Sequence, residues 1–130
     1  MSHISKIHLN KKSEQEILDT FNLVAANIHK EDEMKAFLDS MLSPTENLML
    51  AKRLAIVLLL SENIPLSTIS STLHVTRETV VRIELIYKLK PEGYKMALRK
   101  ISNQKRIKDL KNLLLKLAAD ISYSKGLQAQ

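Results

Sequence analysis

The stretch that decides the fold is Leu66-Ser-Thr-Ile-Ser-Ser-Thr-Leu-His-Val-Thr-Arg-Glu-Thr-Val-Val-Arg-Ile83. Two short helices crossing at a steep angle need apolar residues where this run supplies them. Ile69 and Leu73 face inward from the first helix, Val75 plugs the turn, and Val80 and Ile83 face inward from the second. Thr76 is a good N-cap for that second helix, which reaches Leu89, and Pro91 two residues later supports a stop. His74 stands where such a turn commonly uses a left-handed glycine, a substitution tolerated at a cost on the order of 1 kcal/mol. The outer face of the second helix is then Thr76, Arg77, Glu78, Val81, Arg82 and Leu85.

A recognition helix enters the major groove by its N-terminal end, so Thr76, Arg77, Glu78 and Val81 are the candidates for base contact. Arg77 can hold guanine through two hydrogen bonds, and Glu78 can accept one from cytosine. The full set expected at double-stranded DNA is Ser67, Thr68, Ser71, Thr76, Arg77, Glu78, Thr79, Val81 and Arg82, within a reading head from Ile64 to Leu89. The bland alternative is a helical hairpin whose serines and threonines are ordinary surface.

Outward from the reading head the chain is helical in both directions. Ser13 and Glu16 have the spacing of a capping box, followed by Ile17, Leu18, Phe21, Val24, Ala25 and Ile28 at helical intervals, ending near His29. Asp32 and Glu33 favour a second helix start through the macrodipole, with Met34, Phe37, Leu38, Met41 and Leu42 as its apolar stripe. Ser43-Pro44-Thr45-Glu46 combines an N-cap hydroxyl, a first-turn proline and a reciprocating carboxylate, the strongest helix start in the chain. The helix it opens runs to about Glu62 and is apolar nearly all round from Leu48 to Leu60, so it should be central or covered by a partner subunit. A single further helix is predicted from Tyr94 to about Tyr123, with a seam of Ile107, Leu110, Leu114, Leu117 and Ile121.

Composition agrees with an all-α chain. Of 130 residues only two are glycine and three proline, while 45% are hydrophobic, enough for one core. There is no cysteine, which excludes a disulfide framework, thiolate zinc sites and a cysteine nucleophile. The polar start and the shortness of the most apolar run, Leu54 to Leu60, predict neither a secretory signal nor a membrane span, and a cytoplasmic location. The net charge of +6 is skewed. Residues 1–62 carry 7 basic against 9 acidic side chains, residues 63–87 carry 2 of each, and residues 88–130 carry 11 against 3. Such a basic end suits a polyanion, although basic tails also serve as plain solubilising surface.

The span from Phe37 to Leu89 resembles the Trp repressor family, on Phe37-Leu-Asp-Ser-Met-Leu-Ser-Pro-Thr-Glu46, then Ala51-Lys-Arg-Leu-Ala-Ile-Val57, then the reading head. The resemblance implies an all-α, intertwined homodimer presenting two reading heads to a roughly palindromic site. It divides the chain into a flexible segment 1–12, a dimerisation and DNA-binding domain 13–93, and a basic helical extension 94–130 that frays from Tyr123. In the tryptophan-sensing members the ligand lies between two arginines, with a glycine directly after the second and a serine three residues beyond it. Arg53 and Arg82 stand at the arginine positions, but Ile83 replaces the glycine and Ile86 the serine. With Ser43 these residues mark a possible effector pocket, and the two isoleucines should fill the room an indole needs. No corepressor or other cofactor is therefore expected.

The scattered His3, His8, His29 and His74 offer no metal set, and there is no phosphate loop or flanked serine nucleophile, so no enzyme is expected. The function predicted is a sequence-specific transcriptional regulator, a repressor by resemblance. The alternatives are a helical protein–protein interaction module and a non-specific nucleic-acid accessory protein of a mobile element.

Overall fold

Asn10, rather than Ser13, opens the first helix: its side chain accepts a 2.8 Å hydrogen bond from the Ser13 amide, and α1 runs Lys11–Ala26. Asparagine is as good an N-cap as serine, and once Asn10 holds the Ser13 amide the serine lies inside the first turn. The helix stops at Ala26, three residues before the bound that hydrophobic spacing suggests, with the Asn27 amide reaching back to Ala25 and Val24. Helix α2 is Glu31–Met41, with Glu31, Asp32 and Glu33 in its first turn. Helix α3, Pro44–Ser61, starts as its sequence dictates. The Ser43 amide donates to Glu46 at 2.9 Å and the Glu46 amide donates to the Ser43 hydroxyl at 3.2 Å, a reciprocal capping box.

The computed structural model describes residues 9–129, and among these every regular element is a helix. After α3 come α4 (Leu66–Leu73), α5 (Arg77–Leu89), α6 (Glu92–Ile101) and α7 (Lys105–Ala129). The chain forms two compact units, one ending at Leu48 and the other beginning at Met49. Of the segment 1–12 predicted to be flexible, residues 1–8 lie outside the described residues, and Lys11 and Lys12 are already in α1.

The first unit holds α1, α2 and the opening of α3. Phe21 and Phe37 face each other with ring centroids 6.2 Å apart, yet neither α1 nor α2 contains a buried residue. Ile17, Leu18, Leu23 and Met41 are all more than half exposed.

The second unit holds the core. Ala55, Ile56, Val57, Leu58 and Leu59 of α3 are buried in sequence, which is why that part of the helix is apolar on every side, whereas Leu48 and Leu50 nearer its start are exposed. They cluster with Ile69 of α4, Val80 and Ile83 of α5 and Leu114 of α7. Ala118, one turn beyond Leu114, is also buried.

The helix predicted from Tyr94 to Tyr123 is two helices. Gly93 lies in the first turn of α6, and the chain breaks at Ser102-Asn103-Gln104, where the Ser102 hydroxyl donates to the Arg99 carbonyl at 3.0 Å. Serine and asparagine compete with helical hydrogen bonds in this way. The break lets α7 turn back along α4, so the segment that follows Gly93 belongs to the same compact unit as the helix-turn-helix. Tyr123 to Ala129, the stretch expected to fray, forms the last turns of α7. The Lys111 ammonium pairs with Glu62 just beyond the end of α3.

Candidate nucleic-acid interface

Between α4 and α5 the chain reverses over His74, Val75 and Thr76. His74 has φ 53° and ψ 52°, a left-handed conformation that few L-residues adopt. Three hydrogen bonds hold it. The His74 and Val75 amides both donate to the Ser70 carbonyl, and the Ser70 hydroxyl donates to the Val75 carbonyl at 2.6 Å. Ser70, absent from the expected set, is thus the residue that fixes the turn.

Thr76 then starts α5. Its hydroxyl accepts from the Thr79 amide at 3.1 Å and lies 2.8 Å from the Thr79 hydroxyl. The cap sets the helix so that Val80 and Ile83 enter the core, while Thr76, Arg77, Glu78, Val81 and Arg82 are exposed. Val81 is 49% and Leu85 55% exposed, an apolar pair on the outer face. Arg82 and Glu78 approach to 3.2 Å, with side chains 68% and 83% exposed. A surface pair one turn apart is worth only about 0.3–0.5 kcal/mol, so either side chain is cheaply redirected to another partner.

On α4 the expected surface is smaller than its polarity suggests. Thr68 is buried at 6% exposure, and its carbonyl accepts from the Thr72 hydroxyl. It has too little surface for a DNA contact. A threonine on a helix reads as surface until a neighbour covers it, and α4 is packed by both α5 and α7. Ser67 and Ser71 are half-buried.

Arg53 of α3 and Arg82 of α5 line one pocket of about 210 Å³, together with Met49, Thr79, Ile83, Ile86 and Tyr94. Ile83 is in the core, but Ile86 is 46% exposed at the pocket and does not fill it. Tyr94 of α6 also lines the pocket and packs edge-on against Tyr87, centroids 6.1 Å apart. Ser43 does not line this pocket; its amide and hydroxyl are engaged in capping α3.

Among the described residues there is no group of three side chains suited to hold a metal ion, and no helix long and apolar enough to cross a membrane. Residues 15–102 match the family model described as Trp repressor protein, a span that takes in α6 as well as the helix-turn-helix. No curated protein and no solved structure matches the chain.

Proposed function

The chain belongs to the Trp repressor family of helix-turn-helix DNA-binding regulators, a regulatory and not an enzymatic family, and on that premise we propose that it is a sequence-specific repressor binding a two-fold-symmetric operator as a homodimer. The observation that carries this reading is the Thr76-capped start of α5, with Arg77, Glu78, Val81 and Arg82 exposed on one end of a helix whose other face is buried. Arg77 reads guanine, Glu78 accepts from cytosine, and Val81 offers a methyl contact to thymine. Ser67, Ser71 and Arg82 serve the phosphates.

The homodimer draws support from the first unit. Helices of 16 and 11 residues that bury nothing are marginal by themselves. An apolar face of Ile17, Leu18, Phe21 and Val24 left exposed in one chain calls for cover from a second copy.

DNA binding by this chain needs no tryptophan. The pocket between Arg53 and Arg82, about 210 Å³, falls below the usual ~300–1,000 Å³ of a ligand site, and the buried Ile83 stands at the family's glycine position. Selection of bound oligonucleotides from a random pool, with and without tryptophan, tests both statements. Enrichment of one palindrome in both arms is the expected result. Binding without enrichment would point to a non-specific accessory protein, and enrichment only with tryptophan would restore the corepressor.

A further inference from the structure

A second pocket lies on the opposite stretch of α3, where its last turn meets the end of α6 and the start of α7. It measures about 360 Å³ and is lined by Leu58, Ser61, Leu98, Ser102, Ile107, Lys108 and Lys111. Leu58 is a core residue, and Leu98 and Ile107 pack against that core, so the floor is apolar.

The polar groups at its edge differ in how far they are already used. The Ser61 hydroxyl donates to the Leu58 carbonyl at 2.6 Å, and the Ser102 hydroxyl donates to the Arg99 carbonyl at 3.0 Å. The Lys111 ammonium pairs with Glu62. Lys108 alone among these has no ion-pair or hydrogen-bond partner for its ammonium among the described residues, and it is exposed at the edge of the pocket. A ligand here therefore meets an apolar floor, two hydroxyls whose protons are spent, and one unneutralised cation. That combination favours a molecule with an apolar body and a single anionic head. A cationic head would be repelled by Lys108, and a neutral polar head would gain no charge-assisted bond.

We propose that this pocket, bounded by Leu58, Leu98, Ile107 and Lys108, is a binding site for a small apolar monocarboxylate. It is separate from the pocket between Arg53 and Arg82 and independent of the DNA-binding reading. Its occupant bridges the end of α3 to α7, and α7 lies along α4, the first helix of the helix-turn-helix.

The test uses the full chain without DNA, so its outcome does not depend on the operator. Octanoate, octan-1-ol and octylammonium are titrated calorimetrically, and the amide resonances shifted by octanoate are mapped. Saturable octanoate binding at least about tenfold tighter than either analogue is expected, a preference of the size a charge-assisted bond supplies. Lys108→Gln should lose most of that preference while leaving the thermal transition unchanged, and shifts should centre on Ser61, Ser102 and Lys108. Absence of saturable binding, equal binding of octylammonium, indifference to Lys108→Gln, or shifts centred on Thr79 and Arg82 would each overturn the proposal.

Discussion

Leu114→Ala distinguishes a C-terminal helix that is part of the reading head's core from one that merely follows it in sequence. Leu114 is 5% exposed and belongs to the same buried cluster as Ile69, Val80 and Ile83. Ile69 and Val80 are themselves fully buried, on two different helices, so the gap left by the leucine has little freedom to close. Truncations of this kind cost about 2–5 kcal/mol, and the rigid surroundings place this one near 3 kcal/mol. For a chain of this size that lowers the melting temperature by roughly 10 °C. Leu113→Ala is the control: the same helix, the same chemistry and the next residue, but 53% exposed, so it should change stability by no more than about 0.5 kcal/mol. Denaturant unfolding followed by far-ultraviolet circular dichroism measures both, at one fixed protein concentration because the proposed homodimer would link stability to concentration. Equal losses at the two positions, or a loss below about 1 kcal/mol at Leu114, would refute the account of α7 as part of the core.

The turn, the caps and the exposed residues of α5 each allow a further test. Arg77→Ala should cost about 1–3 kcal/mol in operator affinity and relax one base position per half-site; uniform weakening on every sequence would reassign Arg77 to the phosphates. His74→Gly should raise stability by up to about 1 kcal/mol, because relief of the left-handed strain is partly offset by the added freedom of the unfolded chain; a loss in the same denaturant assay would show that the histidine side chain contributes more than its backbone costs. The Ser43 amide, donating to Glu46, holds that carboxyl below its usual value of 4.5. The stabilisation it gives is present above the ordinary value and lost as pH falls through the lowered one, so Glu46→Gln should flatten the acid limb of the stability profile; an unchanged limb would argue against the cap's contribution.

Much of the fold is legible because its signals are local. Ser43 and Glu46 mark the start of α3, and Thr76 that of α5, through hydrogen bonds spanning three residues. Leu66, Ile69 and Leu73 fix the inner face of α4 by periodicity alone. Where the reading differs, the deciding contact is distant or two local signals compete. Asn10 and Ser13 are both acceptable caps, and spacing does not rank them. Thr68 is polar and short, and its burial follows from packing on α4 that lies outside its own sequence neighbourhood. The break at Ser102 to Gln104 interrupts a pattern whose apolar residues continue at helical spacing on both sides, so periodicity bridges it. Ile86 occupies the sequence position that should fill a pocket, yet a tyrosine eight residues later helps shape that pocket instead.

As proposed above, α5 reads sequence from a two-fold-symmetric pair of heads. Parallel oligonucleotide selection with the wild-type chain and Arg77→Ala tests it most directly. The wild type should enrich a palindrome with half-site centres about one helical turn, roughly 10 base pairs, apart, and the variant should retain the palindrome while relaxing one base in each half. Enrichment of a site without two-fold symmetry, or an Arg77→Ala consensus identical to that of the wild type, would contradict it.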